Sequence, residues 1–186
     1  MQKSIGLLIL TELPDLGRVA ILQIRGEFNH ETMKAETFPG GCQATCHGKA
    51  EQGECLPFAL FRELDGEIGK KAADMLYEIF HPRQDSGYVF CPKVSESSAE
   101  GPTEIATTYA VIMPPDILRI IRLSPSSGGL RLLKENEIPL IQNLRDFDRS
   151  EGVIDRRVIA MIPDEKQAVQ KAFETFKSME FKPESI

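Results

Sequence analysis

The stretch Gly48-Lys49-Ala50-Glu51-Gln52-Gly53-Glu54, continued through Arg62-Glu63-Leu64-Asp65-Gly66-Glu67-Ile68-Gly69, constrains the fold more than any other part of this chain. It reads as a turn rich in glycine and acid, followed by a short amphipathic helix. Ala59, Leu60, Leu64 and Ile68 recur at helical spacing and predict a buried stripe. On the same helix Glu63 and Glu67 project side by side, one turn apart. Two carboxylates held that close on a rigid element repel unless a cation lies between them. Hard divalent cations such as Mg²⁺ select oxygen ligands of this kind and keep waters for chemistry. In an arbitrary helix such a pair is only a solvated face, so the neighbouring residues decide its meaning.

Those neighbours fall at fixed intervals. Gly48 is followed after five residues by Glu54, and after seven more by Arg62-Glu63-Leu64, with Glu67 and Gly69 closing the pattern. This resembles the Nudix box. One fixed acid differs, because Gly66 stands where the family has the first glutamate of a pair. Lys70 replaces an apolar residue after the last glycine.

The resemblance implies a single Nudix domain over residues 1–186, an α/β/α sandwich around a mixed sheet. It implies a metal-dependent hydrolase, a pyrophosphatase that cleaves a nucleoside-diphosphate-linked or other diphosphate substrate by attack of water. The implied cofactor is Mg²⁺ or Mn²⁺. Glu63 and Glu67 are the implied metal ligands, with His47 beside the backbone carbonyl that often completes the set. Glu54 would pair with Arg62 to brace the loop against the helix. A later acid often joins the site, and Glu96, Glu100 and Glu104 are the candidates.

Gly66 removes one implied ligand. Glycine also costs a helix up to about 1 kcal/mol relative to alanine. Asp65 lies about 100° around the helix and is a poor substitute. A second class therefore stands beside the enzyme: a catalytically impaired Nudix-fold module that binds nucleotides or regulates.

A related layout occurs in Nudix isopentenyl diphosphate isomerases, which carry a catalytic cysteine seven residues before the box glutamate. That position is His47 here, and Cys46 falls one residue early, on the opposite face of a strand. The family's metal-binding histidine, five before the glutamate, is Lys49. The isomerase reading is disfavoured on both counts.

Along the chain, Ile5–Leu10 and Val19–Ile24 predict a β-hairpin turned by Pro14-Asp15-Leu16-Gly17, with Arg25 at its end. Residues 29–36 read as a loop and Cys42–His47 as a strand entering the box. Helices are expected from Pro57 to Gly69 and over Lys70–Phe80, then a loop at residues 81–87. Strands are expected at Tyr88–Val94, Ile105–Met113 and Leu118–Leu123, with a polar connector over residues 95–102 and a turn at residues 124–129. Leu130–Leu133 reads as a short strand leading to a helix around Glu137–Leu144. The last helix would be capped by Asp164 and bury Val169, Ala172, Phe173 and Phe176.

With 41% hydrophobic and 27% charged residues, the chain has a globular composition. Its net charge of −6 argues against a protein that coats nucleic acid, but not against a small phosphorylated ligand. The expected partner is a small nucleoside diphosphate derivative, without nucleic acid or membrane; homodimers are the commonest assembly. The apolar run at Ile5–Leu10 is too short for a membrane span, so cytoplasmic residence is the expectation. Cys42, Cys46, Cys55 and Cys91 lack the close pairs of a zinc site and read as reduced thiols. Trp is absent, which leaves Phe28, Phe38, Tyr88 and Phe90 as base-stacking candidates.

Overall fold

A computed structural model of the chain describes residues 2–30, 32–80, 91–97, 104–148 and 152–179. The fold is organised around strand β1, Gln2–Leu13, because its run from Ser4 to Thr11 is buried on both faces. Such a strand needs partners on both edges and cover on both sides. Along one edge it pairs in parallel with β8, Glu104–Met113. Along the other it is shared. Its Ile9–Leu13 half pairs antiparallel with β2, Gly17–Arg25, and its Ser4–Leu7 half with β6, Cys46–Lys49.

The sheet therefore forks where β1 leaves β2. Thr45 closes the fork: its hydroxyl accepts the Ile9 N–H at 2.9 Å and donates to the Ile21 carbonyl. Beyond it, that edge of β2 pairs with the two residues of β5, Cys42–Gln43, while the other edge of β2 carries β9, Ser127–Lys134, from Val19 to Arg25. Strand β7, Lys93–Ser97, pairs antiparallel with β8 at the far edge. The segment from residue 42 to 47, expected as one strand, is thus two strands that pair with different neighbours on either side of the fork.

Helices cover both faces of this mixed sheet, giving an α/β/α sandwich. Ile5, Leu7 and Ile9 pack against α1, Leu56–Ile68, and α2, Lys70–Phe80, in a cluster that includes Leu60, Leu64, Ile68 and Leu76. Leu8 and Leu10 turn to the other face, where α4, Pro163–Phe176, contributes Val169, Ala172, Phe173 and Phe176 as the periodicity predicts. Gly69, at φ 85°, ends α1 where expected, and Arg122 packs so close that a side chain there would collide.

Several expected elements differ. Leu118–Leu123 is not a strand: Ile117–Ile120 forms the short helix α3 after Pro114-Pro115. The backbone that follows donates from Arg122 to the Ile68 carbonyl and from Ser124 to the Glu67 carbonyl, so it caps α1 instead of joining the sheet. The helix expected around Glu137–Leu144 is a 3₁₀ segment, Glu135–Leu140, because Pro139 blocks α-helical continuation. After it Gln142–Asn143, β10, pairs in parallel with Ala160–Met161, β11.

Asp164 does not cap α4. Ile162 is the cap residue, Pro163 takes the first turn, and Asp164 and Glu165 follow inside it. The loop at residues 29–36 contains a small hairpin of Phe28–Asn29, β3, and Lys34–Ala35, β4. Strand β7 starts at Lys93 and runs through Ser97, into the expected connector; Tyr88–Phe90 and the loop at residues 81–87 lie outside the described residues. No helix among the described residues is long and apolar enough to cross a membrane.

Candidate active site

Strand β6 leads directly into the glycine- and acid-rich loop, whose start is fixed by the Ala50 N–H donating to the Lys3 carbonyl. Glu54 folds back to accept the Glu51 N–H at 2.9 Å. Arg62, in the middle of α1, then ties three parts together. Its Nε and Nη2 donate to Glu54 at 3.1 and 2.9 Å, its Nη1 to Glu63 at 2.6 Å, and its Nη2 to the Lys49 carbonyl at 2.8 Å. A planar guanidinium can hold such a fan of acceptors; an ammonium cannot. The Arg62 hydrogen bond holds the Glu54 carboxyl below the usual carboxylate range, and Glu54 in turn raises the Arg62 pKa.

The two acids of α1 are set by the strand beneath them. Glu63 lies against Gly48 so tightly that a Cβ at that position would fall inside the carboxylate. Glu67 accepts the His47 backbone N–H at 2.9 Å through Oε2. It also accepts from the thiol of Cys46, which burial, and then the Glu67 charge, push far above the ordinary cysteine value. Cys46 is fully buried and stays a neutral donor. The ring of His47 sits over Gly6, its register partner on β1.

Glu63, Gly66 and Glu67 face a cavity of about 860 Å³ that opens at the fork of the sheet. Arg25, Lys49, Arg62 and Arg145 supply its cations, and Glu36 and Glu165 line other walls. Arg25 donates from Nη2 to Glu36 at 2.7 Å. Burial works against the Glu36 charge, but the Arg25 bond and charge together hold its carboxyl low. Three buried side-chain polar atoms among the described residues lack any partner: Ser4 Oγ, Ser97 Oγ and Arg25 Nε. All three belong to residues that line this cavity. Unpaired buried polar atoms cost about 1–3 kcal/mol each, so the concentration of all three around one cavity points to a polar occupant.

No protein-family model matches the chain, and no curated protein matches it. Solved structures do. The NUDIX domain of Shewanella oneidensis NrtR, complexed with ADP ribose, is similar with a TM-score of 0.56 at 10% identity, over 94% of this chain and 87% of that one. A C. elegans Ap4A hydrolase gives 0.53 at 13% identity, over 96% and 98%. A mutT/nudix family protein from Listeria innocua gives 0.53 at 18% identity, over 95% and 94%. The chain has the Nudix fold.

Within that fold the box residues come together as the spacing implies. Glu54, Arg62 and Glu63 form one bonded group, and Glu67 and His47 meet through the His47 amide. Gly66 faces the cavity with nothing within 4 Å of where its Cβ would lie. Asp65 is exposed and does not line the cavity, consistent with its angular offset. Among the later acids, Glu96 is a correction: it pairs with Lys93 at 2.9 Å on the exposed edge of β7 and is absent from the cavity wall. Glu100 and the side chain of Glu104 lie outside the described residues.

Two later acids among the described residues do line the cavity, Asp164 and Glu165 in the first turn of α4, and the buried one is Glu165. It is 9% exposed, and burial pushes its carboxyl up to about 7. Gln23 and Gln43, opposite each other on β2 and β5, join it in the wall. Nothing local in the sequence marks these three, because Glu165 joins the two glutamines from 121 residues beyond Ala44.

Among the described residues, no three His, Cys, Asp or Glu side chains converge as a metal cluster. Cys42 packs into the core under α4 and Cys46 into the core under α1, on opposite faces of the sheet, and Cys55 is exposed. Of the aromatic candidates, Phe38 packs against Leu144 and Ile154, Phe28 borders a neighbouring cavity of about 320 Å³, and Tyr88 and Phe90 lie outside the described residues.

Proposed function

We propose that the chain is a Nudix-type hydrolase that cleaves a nucleoside diphosphate derivative, or another diphosphate-linked substrate, by attack of water, with Mg²⁺ or Mn²⁺. The observation that carries this reading is the fixing of Glu63 and Glu67 side by side on one cavity wall. Gly48 leaves room only for the Glu63 carboxylate, and the His47 amide holds Glu67. Hard oxygen donors, pre-positioned by a glycine cradle and a backbone donor, fit a divalent cation.

Glu63 and Glu67, with the backbone carbonyl at His47–Gly48, are the residues that would hold it. When bound, such a cation neutralises phosphate charge and lowers the pKa of a coordinated water. The chain's own contribution is positional. Arg62 locks the box loop to α1, so the acids do not drift as charge builds up. Arg25 offers its unpartnered Nε to a phosphate oxygen, while its bond to Glu36 holds the guanidinium in place. The solved relatives named for Ap4A hydrolase and for an ADP ribose complex support a substrate of this class.

The test is a hydrolysis panel of ADP-ribose, dinucleoside polyphosphates and nucleoside triphosphates with Mg²⁺ and Mn²⁺, scored by released phosphate or nucleoside monophosphate. Absence of turnover on every compound overturns the reading. One observation favours a second reading, a binding or regulatory module: the open space at Gly66, where the family supplies a further acid. It predicts ligand-induced thermal stabilisation without turnover, unaffected by Glu63→Gln.

A further inference from the structure

The Gln23–Gln43–Glu165 wall has hydrogen-bonding capacity that the protein itself does not use. Gln43 Nε2 donates to Gln23 Oε1 at 2.6 Å, an amide pair formed across the β2–β5 register. Whichever way the two amides are turned, one such bond leaves a donor on one side chain and an acceptor on the other. Gln23 is only 3% exposed, yet among the described residues nothing takes its remaining amide group. Glu165 reaches the backbone beside this pair. One of its oxygens accepts the Ala44 N–H, in a long bond of 3.4 Å, and the other has no hydrogen bond among the described residues. Among the described residues the sealed polar atoms without a partner are Ser4 Oγ, Ser97 Oγ and Arg25 Nε, so the spare groups of Gln23, Gln43 and Glu165 open onto the cavity, where they present donors and acceptors to whatever fills it.

We propose that Gln23, Gln43 and Glu165 read the hydrogen-bonding edge of the substrate's nucleobase. This rests on the hydrolase reading only in taking the substrate to be a nucleotide. The chemistry selects a base over a phosphate. The wall itself carries two neutral amides and the neighbouring carboxyls of Glu165 and Asp164; of the four cations that line the cavity, Lys49 and Arg62 belong to the box, Arg25 is held by Glu36, and Arg145 enters from the segment after β10. A phosphate would meet a carboxyl here. A planar heterocycle presents adjacent donors and acceptors along one edge, the pattern that an amide pair and a carboxyl complement. Glu165 suits the task further because its carboxyl titrates near neutrality, and so can donate or accept. The charged or titratable groups that act on it are Arg25 from β2, Cys42 from β5, Glu67 from α1 and its neighbour Asp164. Selectivity built on matched hydrogen bonds is strong, because the wrong edge leaves buried groups unpaired.

The test measures binding of AMP, GMP, CMP, UMP and ribose 5-phosphate to the full chain by calorimetry with Mg²⁺ present. Wild-type protein is expected to prefer one base at least tenfold over the poorest and over ribose 5-phosphate. Gln43→Leu and the isosteric Glu165→Gln are each expected to bring the four nucleotides within about threefold, leaving ribose 5-phosphate unchanged. Equal binding of all five compounds by the wild type, or an unaltered preference in Glu165→Gln, overturns the inference. If no diphosphate is hydrolysed but the base preference and its loss are seen, the hydrolase reading fails and this one stands. If every base is hydrolysed alike, this one fails alone.

Discussion

Gly48 on β6 and Glu63 on α1 touch so closely that any side chain at 48 would occupy the volume of the carboxylate. The contact explains, in steric terms, why the pattern begins with glycine. Gly48→Ala should therefore displace Glu63 without unfolding the sheet. We expect kcat/KM to fall roughly 100-fold, the scale set by a displacement of about 1 Å at a catalytic group. Thermal unfolding should report a loss of about 1–3 kcal/mol, the range for overpacking. Full activity in Gly48→Ala would refute the role assigned to this contact.

Gly66 offers the reverse experiment. Its Cβ position is open, and it faces the same cavity. Gly66→Ala should stabilise α1 by up to about 1 kcal/mol and leave metal affinity unchanged. Gly66→Glu should tighten Mn²⁺ binding, measured by calorimetry. Equal Mn²⁺ affinity in the wild type and in Gly66→Glu would remove this position from the metal-facing side.

Arg62→Lys keeps the charge but loses the fan of acceptors on Glu54, Glu63 and the Lys49 carbonyl. Activity should drop at least tenfold while the fold persists, since only an arginine spans all three. A lysine variant with native kcat would show that loop bracing is dispensable.

Glu165 gives a prediction with a sign. Its carboxyl is raised from the ordinary 4.5 to about 7 by burial, so the native state holds its proton more tightly than the unfolded chain. Stability from this group is complete below about 4.5 and is lost as pH rises through about 7, roughly 3 kcal/mol in all. Glu165→Gln should flatten that loss. Denaturant unfolding at pH 5 should find the variant and wild type similar, and at pH 8 should find the variant more stable. Parallel pH curves for the two proteins would contradict the burial argument.

Much of the box was legible because it is local. Glu54, Arg62, Glu63 and Glu67 lie on one loop and one helix, so their spacing alone sets their relative positions. The hairpin of β1 and β2 and the buried stripe of α4 were legible for the same reason. Partner choice at long range was not. Residues 42–47 carry no mark of where one strand ends and the next begins; the break arises from the fork that Thr45 closes against β1 and β2. Leu118–Leu123 has strand-like composition, but the Leu118, Arg119 and Ile121 amides turn back onto Pro115, Asp116 and Ile117, and the Arg122 amide is taken by the Ile68 carbonyl at the end of α1. Glu165 is not among the candidate later acids Glu96, Glu100 and Glu104, because its helix reaches the cavity only through tertiary packing.

The bond from the His47 amide to Glu67 makes one backbone proton a gauge of the site. Its exchange with solvent deuterium requires the carboxylate to let go, or the end of β6 to part from α1. Anything that draws Glu67 away, a bound cation included, would be written in the lifetime of that proton. The resonance of a single amide then reports on the carboxylate before any substrate is known.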